Sequence, residues 1–229
     1  MNDRYPIEEL EKRIGYSFKD KDLLRTALTH SSYRNEAEGG RCEDYERQEY
    51  LGDAVLELTV SDNVFRNHPE MREGQMTSYR ASIVCEPTLA RCAREIGIPD
   101  HIRLGKGEDR NNSRNKDSIV SDVFEAVIGG IYLDGGIEEA QRFIAEFVLK
   151  DIEHKILFHD SKTQLQNLIQ ARGGTLEYTV TGERGPEHAK VFTVAVIIDG
   201  STEAVAEGSS KKHAEQKAAY EALKKLKEV

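Results

Sequence analysis

One segment constrains this chain more than any other: SDVFEAVIGGIYL, Ser121 to Leu133. Asp122 and Glu125 stand three residues apart, so on a helix both carboxylates share a face. Val123, Phe124, Val127, Ile128 and Ile131 surround them and leave almost no side for solvent. A helix of that kind belongs inside a helical domain. Its acids then need a partner, because an ionised carboxylate is almost never buried alone. No Lys or Arg lies between Lys116 and Arg142 to serve as one.

A second segment repeats the problem. In ERQEYLGDAVL, Glu46, Glu49 and Asp53 fall at about 0°, −60° and −20° around a helix. Three like charges on one line should repel, and no basic residue sits at the matching offsets. Tyr50, Leu56 and Val60 flank the line, and Leu51, Ala54, Val55 and Leu58 lie behind it, so this helix too reads as buried. A hard divalent cation would answer both helices at once. Oxygen-only ligands point to Mg²⁺ or Mn²⁺ rather than zinc. A helix cap or a cross-domain salt bridge are the plainer alternatives. Several carboxylates around Mg²⁺ suit phosphodiester hydrolysis, in which metal activates water and stabilises the leaving oxygen.

The rest of the first 152 residues reads as helices joined by short loops. IEELEKRIGYSF, KDLLRTALTHSS, GQMTSYRASIV and PTLARCAREIGI show helical spacing, the last with Pro87 as a first helical residue and Gly97 as a stop. GKGEDRNNSRNKD reads as a loop, and IEEAQRFIAEFVLKDIEH as a closing helix. Residues 153–161 read as a linker. From 162 to 229 the period changes. KTQLQNLIQARGG is a short helix with a double-glycine stop, TLEYTV and AKVFTVAVII alternate as strands, and Asp199-Gly200 turns into a third strand, STEAVAEG. A last helix carries an apolar stripe through Ala214, Ala218, Ala222 and Leu226. The expected architecture is an all-α domain followed by an α-β-β-β-α module of the α+β class.

Charge divides the same way. The net charge is −9, yet residues 161–229 hold 10 Lys+Arg against 9 Asp+Glu. Lys211 and Lys212 stand in the first turn of the last helix, where cations oppose the helix dipole. An anion site explains that better than a solvated pair, since Ser209 and Ser210 precede them and a helix N-terminus attracts phosphate. Cys42, Cys85 and Cys92 form no CxxC pair, which fits a reduced, cytoplasmic protein. The cysteines, the three methionines and His30 read as packing residues, with His30 at most a structural hydrogen-bonder. No signal peptide or membrane span is visible.

These motifs resemble bacterial ribonuclease III. ERQEYLGDAVL is similar to its signature helix and SDVFEAVIGGIYLDGG to its second acidic helix; LTHSSY, EGQMTSYRASIV and LGKGE also match the catalytic domain. KTQLQ, GPEH and GSSKKHAEQKAA resemble a double-stranded RNA-binding domain. The resemblance implies a Mg²⁺-binding catalytic cluster of Glu49, Asp53, Asp122 and Glu125, with Mn²⁺ able to substitute and Glu46 as an acidic neighbour. It implies a homodimer with Tyr50 plugged into the partner, and RNA contacts from Thr163, Gln166, Asn167, Gln170, His188, Ser209, Lys211, Lys212 and Lys217. It also implies cleavage of double-stranded RNA to 5′-phosphate and 3′-hydroxyl ends with short 3′ overhangs, in the processing of rRNA and mRNA precursors. Gln48, Ser121 and Asn167 depart from the family's more usual apolar residue, Ala and Glu. Against an enzyme stand a non-catalytic RNA-binding or ribosome-associated relative, which all four acids argue against, and an RNA-binding module fused to an unrelated helical domain.

Overall fold

The computed structural model describes residues 7–36, 42–152, 161–185, 190–208 and 210–227. The chain divides into two compact units, Met1–Ile152 and Glu153–Val229.

The first unit is helical: α1 (Glu8–Ile14), α2 (Lys21–Ala27), α3 (Ser31–Glu36), α4 (Glu46–Asn67), α5 (Glu73–Ile83), α6 (Glu86–Glu95), α7 (Lys106–Arg110), α8 (Asp117–Gly135) and α9 (Ile137–Ile144). At its centre is α8. Val123, Phe124, Val127, Ile128 and Ile131 are fully buried, as an all-round apolar helix requires. Each such side chain contributes about 1.5–3 kcal/mol on leaving water. The far end of α8 is tied down by Asp134, whose carboxylate accepts from the backbone N–H groups of Lys19 and Asp20, both at 2.9 Å, and from the Tyr16 hydroxyl at 2.7 Å.

The long helix α4 packs along α8, and glycines set how closely. A Cβ on Gly52 would stand 1.8 Å from the Glu125 carbonyl oxygen, and one on Gly129 would stand 2.2 Å from that of Gln48. No side chain fits between the two backbones at this crossing. Gln48 is buried beside it and donates from Nε2 to the Leu23 carbonyl at 3.2 Å.

Three local features differ from the sequence-based expectation. α4 is not covered on every apolar side: Tyr50 (83% exposed), Leu58 (62%) and Phe65 (70%) form an open stripe that the single chain leaves bare. The loop expected at GKGEDRNNSRNKD holds α7 and a 3₁₀ turn at Ser113–Asn115. Its polar side chains pair with one another, Ser113 donating to Glu108 and Arg114 to both Asp109 and the Pro99 carbonyl. Finally, α9 widens into a π-helical turn at Ala145–Leu149, closed by the Lys150 N–H to the Ala145 carbonyl at 3.0 Å. There Phe143 packs against both Phe124 and Phe147.

The second unit runs α10 (Ser161–Ala171), β1 (Leu176–Arg184), β2 (Val191–Ile198), β3 (Ser201–Gly208) and α11 (Lys211–Lys227). The sheet is antiparallel in the order β1-β2-β3. Asp199 and Gly200 both take positive φ, 50° and 81°, as a two-residue hairpin turn demands. Leu165, Ile169, Val196, Ile198, Ala218, Ala222 and Leu223 fill the space between sheet and helices. Small alanines let α11 lie close to the strands. Ser161 opens α10 and donates from its hydroxyl to the Gln216 carbonyl at 2.8 Å, which ties the two helices together.

Candidate active site

The close α4–α8 crossing places Glu49 opposite Asp122 and Glu125. One carboxylate oxygen from each of these three residues lies within 4.8 Å of the others. Asp53, one turn further along α4, is not in that group and is more exposed. Glu46 lies on the exposed edge of the same line and contributes repulsion to Glu49.

Burial and crowding raise four of the acids, Glu49, Asp53, Asp122 and Glu125. Burial, then the charges of Asp122, Glu46 and Asp53, push Glu49 up to about 7. Burial, then Asp53, Glu49 and Asp122, push Glu125 up to about 8. Asp122 is raised by burial, with partial relief from a hydrogen bond that the Tyr45 hydroxyl donates at 3.4 Å. Asp53 is raised by burial and by Glu57, and lowered by Arg80. The surroundings therefore do not neutralise these carboxylates when they are ionised, and without a cation the cluster favours keeping protons. Its donors are all carboxylate oxygens, the set a hard divalent cation takes. The residues present fit such an ion.

Four contributors were not singled out from the sequence. Tyr45 and Arg80 are partners brought from other segments, and Glu57 extends the acidic line one turn beyond Asp53. The pair Gly52–Gly129 sets the spacing; its only sequence signal is a small residue inside each acidic helix. His30 is the structural hydrogen-bonder that the sequence allowed, its ring bonding the Ser32 hydroxyl at 2.8 Å.

In the second unit, Thr163, Gln166, Asn167 and Gln170 are all exposed on one face of α10, at helical spacing. Lys211 and Lys212 are exposed at the start of α11, and Lys217 is half-buried. Ser210 caps α11 by accepting the His213 N–H at 3.2 Å. His188 and Ser209 lie outside the described residues. Gly208 brings the end of β3 against α11, where a Cβ would stand 2.4 Å from the Ala214 nitrogen.

Fold and site together define a class: a helical domain with a carboxylate cluster fit for a hard cation, on one chain with an α-β-β-β-α module that exposes a polar helix face and a lysine-bearing helix N-terminus. Comparison with known proteins narrows it. Residues 20–152 match the family model described as Ribonuclease-III-like, and residues 161–226 match the double-stranded RNA binding motif. The chain is 45% identical over 222 residues to ribonuclease 3 of Listeria monocytogenes, covering 96% of this chain and 97% of that one. It is 46% identical over 228 residues to ribonuclease 3 of Bacillus cereus, covering 98% and 93%. Among solved structures, the nuclease domain of ribonuclease III from Campylobacter jejuni matches at 38% identity and a TM-score of 0.59, covering 63% of this chain and 97% of that domain. This chain belongs to the ribonuclease III family. It is an enzyme, a nuclease that carries its own double-stranded RNA-binding motif. Among the described residues no helix is long and apolar enough to cross a membrane.

Proposed function

We propose that this chain cleaves double-stranded RNA by Mg²⁺-dependent phosphodiester hydrolysis, leaving 5′-phosphate and 3′-hydroxyl ends. The observation that carries the reading is the trio of Glu49, Asp122 and Glu125, with one oxygen from each within 4.8 Å of the others and no Lys or Arg between Lys116 and Arg142 to pair the two acids of α8. These three hold the metal, Asp53 completes its surroundings, and Glu46 lines the approach. When bound, the cation supplies activation of water and stabilisation of charge at the leaving oxygen. It also reverses the local potential, so that an acidic cleft accepts a phosphate backbone. Tyr45 orients the Asp122 carboxylate through its hydroxyl.

The second unit supplies affinity. Thr163, Gln166, Asn167 and Gln170 meet the minor groove of A-form RNA from one side of α10, with His188, which lies between β1 and β2 in sequence. Lys211, Lys212 and Lys217, with Ser209, meet phosphates. Readout is then of duplex shape and 2′-hydroxyls rather than base sequence.

The active form in this reading is a homodimer. The uncovered stripe of Tyr50, Leu58 and Phe65 supports it, because exposed large apolar groups in a row mark an interaction surface. The Campylobacter nuclease domain has been described for flexibility in a region involved in dimer formation.

Incubation with a long RNA duplex tests the proposal. Cleavage is expected with Mg²⁺ and not with EDTA. Glu125→Gln should bind duplex as the parent does and lose nearly all cutting; a fully active Glu125→Gln protein would refute the assignment.

A further inference from the structure

Several cations of the second unit have an acidic partner. Lys162 pairs with Glu215, Arg184 with Glu207, Lys190 with Glu183 and Lys224 with Glu221. A cation so paired has little charge left to offer a phosphate. Lys211 is held differently. Among the described residues it has no carboxylate partner, and its Nζ stands 5.7 Å from the centroid of the Phe192 ring. A ring face attracts a cation without neutralising it, so the side chain is oriented while its charge stays free. Lys212 is also exposed, and among the described residues no ring lies against it.

The sheet prepares that contact from both sides. Phe192 stands in β2 directly opposite Glu183 of β1 and Gly208 of β3, so the three share one face. It is the face that α11 covers: Val194, Val196 and Ile198 follow at steps of two and are buried, the last two against alanines of that helix. On the β1 side, the Glu183 carboxylate is taken by Lys190 Nζ at 3.1 Å. On the β3 side, Gly208 has no side chain to lie over the ring, and a Cβ there would stand 2.4 Å from the Ala214 nitrogen. That close approach brings the first turn of α11 down to the sheet, with Lys211 beside the half-buried Phe192.

We infer that Phe192 is a positioning residue for RNA binding: its ring holds the Lys211 side chain in place at the start of α11 and leaves its charge free for a backbone phosphate. The inference rests on the reading above that Lys211 meets phosphate. An unrestrained lysine has much rotamer freedom to lose on binding. One already resting on a ring has less, so its phosphate contact forms at lower cost. The ring adds and removes no charge, so it acts on affinity and not on the number of counterions released.

Duplex binding to the full chain tests it, by fluorescence anisotropy in EDTA at several salt concentrations. Lys211→Gln should weaken binding and lower the slope of log affinity against log salt by about 1. Phe192→Leu keeps an apolar side chain but loses the ring face. It should weaken binding by about two- to fivefold, the worth of an exposed cation–π contact, with the slope unchanged. Phe192→Tyr keeps the ring and should bind as the parent does. In a Lys211→Gln background Phe192→Leu should cost nothing further, whereas beside Lys212→Gln it should have its full effect. A Phe192→Leu loss that persists undiminished beside Lys211→Gln marks a packing defect and overturns the inference. So does a Phe192→Leu protein that binds like the parent, or an equal loss in Phe192→Tyr. A Lys211→Gln protein with unchanged affinity and slope would instead take Lys211 off the RNA and remove the reading on which the inference stands.

Discussion

Replacing Gly52 with alanine tests the physical basis of the site more directly than removing any of its acids. Alanine is the better helix former, by roughly 1 kcal/mol, so propensity alone predicts a more stable protein. The crossing predicts the reverse. The new Cβ would lie 1.8 Å from the Glu125 carbonyl oxygen, 2.7 Å from its carbon and 2.8 Å from the Gly129 nitrogen, all backbone atoms. Ordinary contact begins near 3.4 Å, so α4 and α8 must part by about 1.5 Å at this point. Neither backbone can step aside as a flexible side chain would. Overpacking of this kind costs about 1–3 kcal/mol, and a rigid neighbour puts it at the upper end. After the propensity gain is subtracted, the net loss is about 2 kcal/mol, or roughly 4–8 °C in melting temperature for a unit of this size. Activity should fall further than stability suggests. Parting the helices separates Glu49 from Asp122 and Glu125, and a misplacement of about 1 Å costs on the order of a hundredfold in rate. Thermal unfolding by circular dichroism and cleavage of a labelled duplex at saturating Mg²⁺ are the assays. Gly74→Ala is the control: it also lies in a helix, but its Cβ would meet nothing within 4 Å, so it should be neutral or slightly stabilising and fully active. A Gly52→Ala protein that melts and cuts like the parent would refute the argument that this crossing builds the site.

Two further outcomes follow from charge. Glu49 and Glu125 have folded-state values of about 7 and about 8, raised above the usual 4.5. Their contribution to stability is thus fully present below about 4.5 and lost as pH rises through 7 and 8. In EDTA the melting temperature should fall between about pH 4.5 and 8, and saturating Mg²⁺ should reduce that fall, because the ion takes the ionised carboxylates; identical pH profiles with and without Mg²⁺ would count against a cation at this cluster. In the second unit, Lys211→Ala combined with Lys212→Ala should weaken duplex binding to a similar degree across unrelated sequences. It should also lower the slope of log affinity against log salt by about 1 per lost contact; fluorescence anisotropy at several salt concentrations measures this, and an unchanged slope would remove these lysines from the interface.

The acids were legible because helical periodicity is local. Spacings of three and four residues place Glu46, Glu49 and Asp53 on one line and Asp122 with Glu125 on another, whatever the rest of the chain does. The helical-to-alternating change of period near residue 175 was legible for the same reason, as was the Asp199-Gly200 turn. The contact of Arg80 with Ser61 and Glu57 was not, since it joins two helices and no spacing rule spans them. The short helix at Lys106–Arg110 was hidden by polar, glycine-bearing residues that pair with one another instead of showing an apolar period. Leu58 was read as buried and is 62% exposed, because hydrophobicity says that a surface seeks cover and not which molecule provides it.

By itself the sequence determined which residues carry charge, which helix faces they occupy, and that an acid-bearing helix would lie at the centre of the first unit. It also determined the α-β-β-β-α order of the second, through alternation and turn chemistry. Only the tertiary structure decided how near the two acidic helices come. Two glycines let backbones meet where any side chain would hold them apart, and that distance turns five separated acids into three within reach of one ion. Close approach is a property of two surfaces pressed together, and periodicity along either helix alone does not contain it.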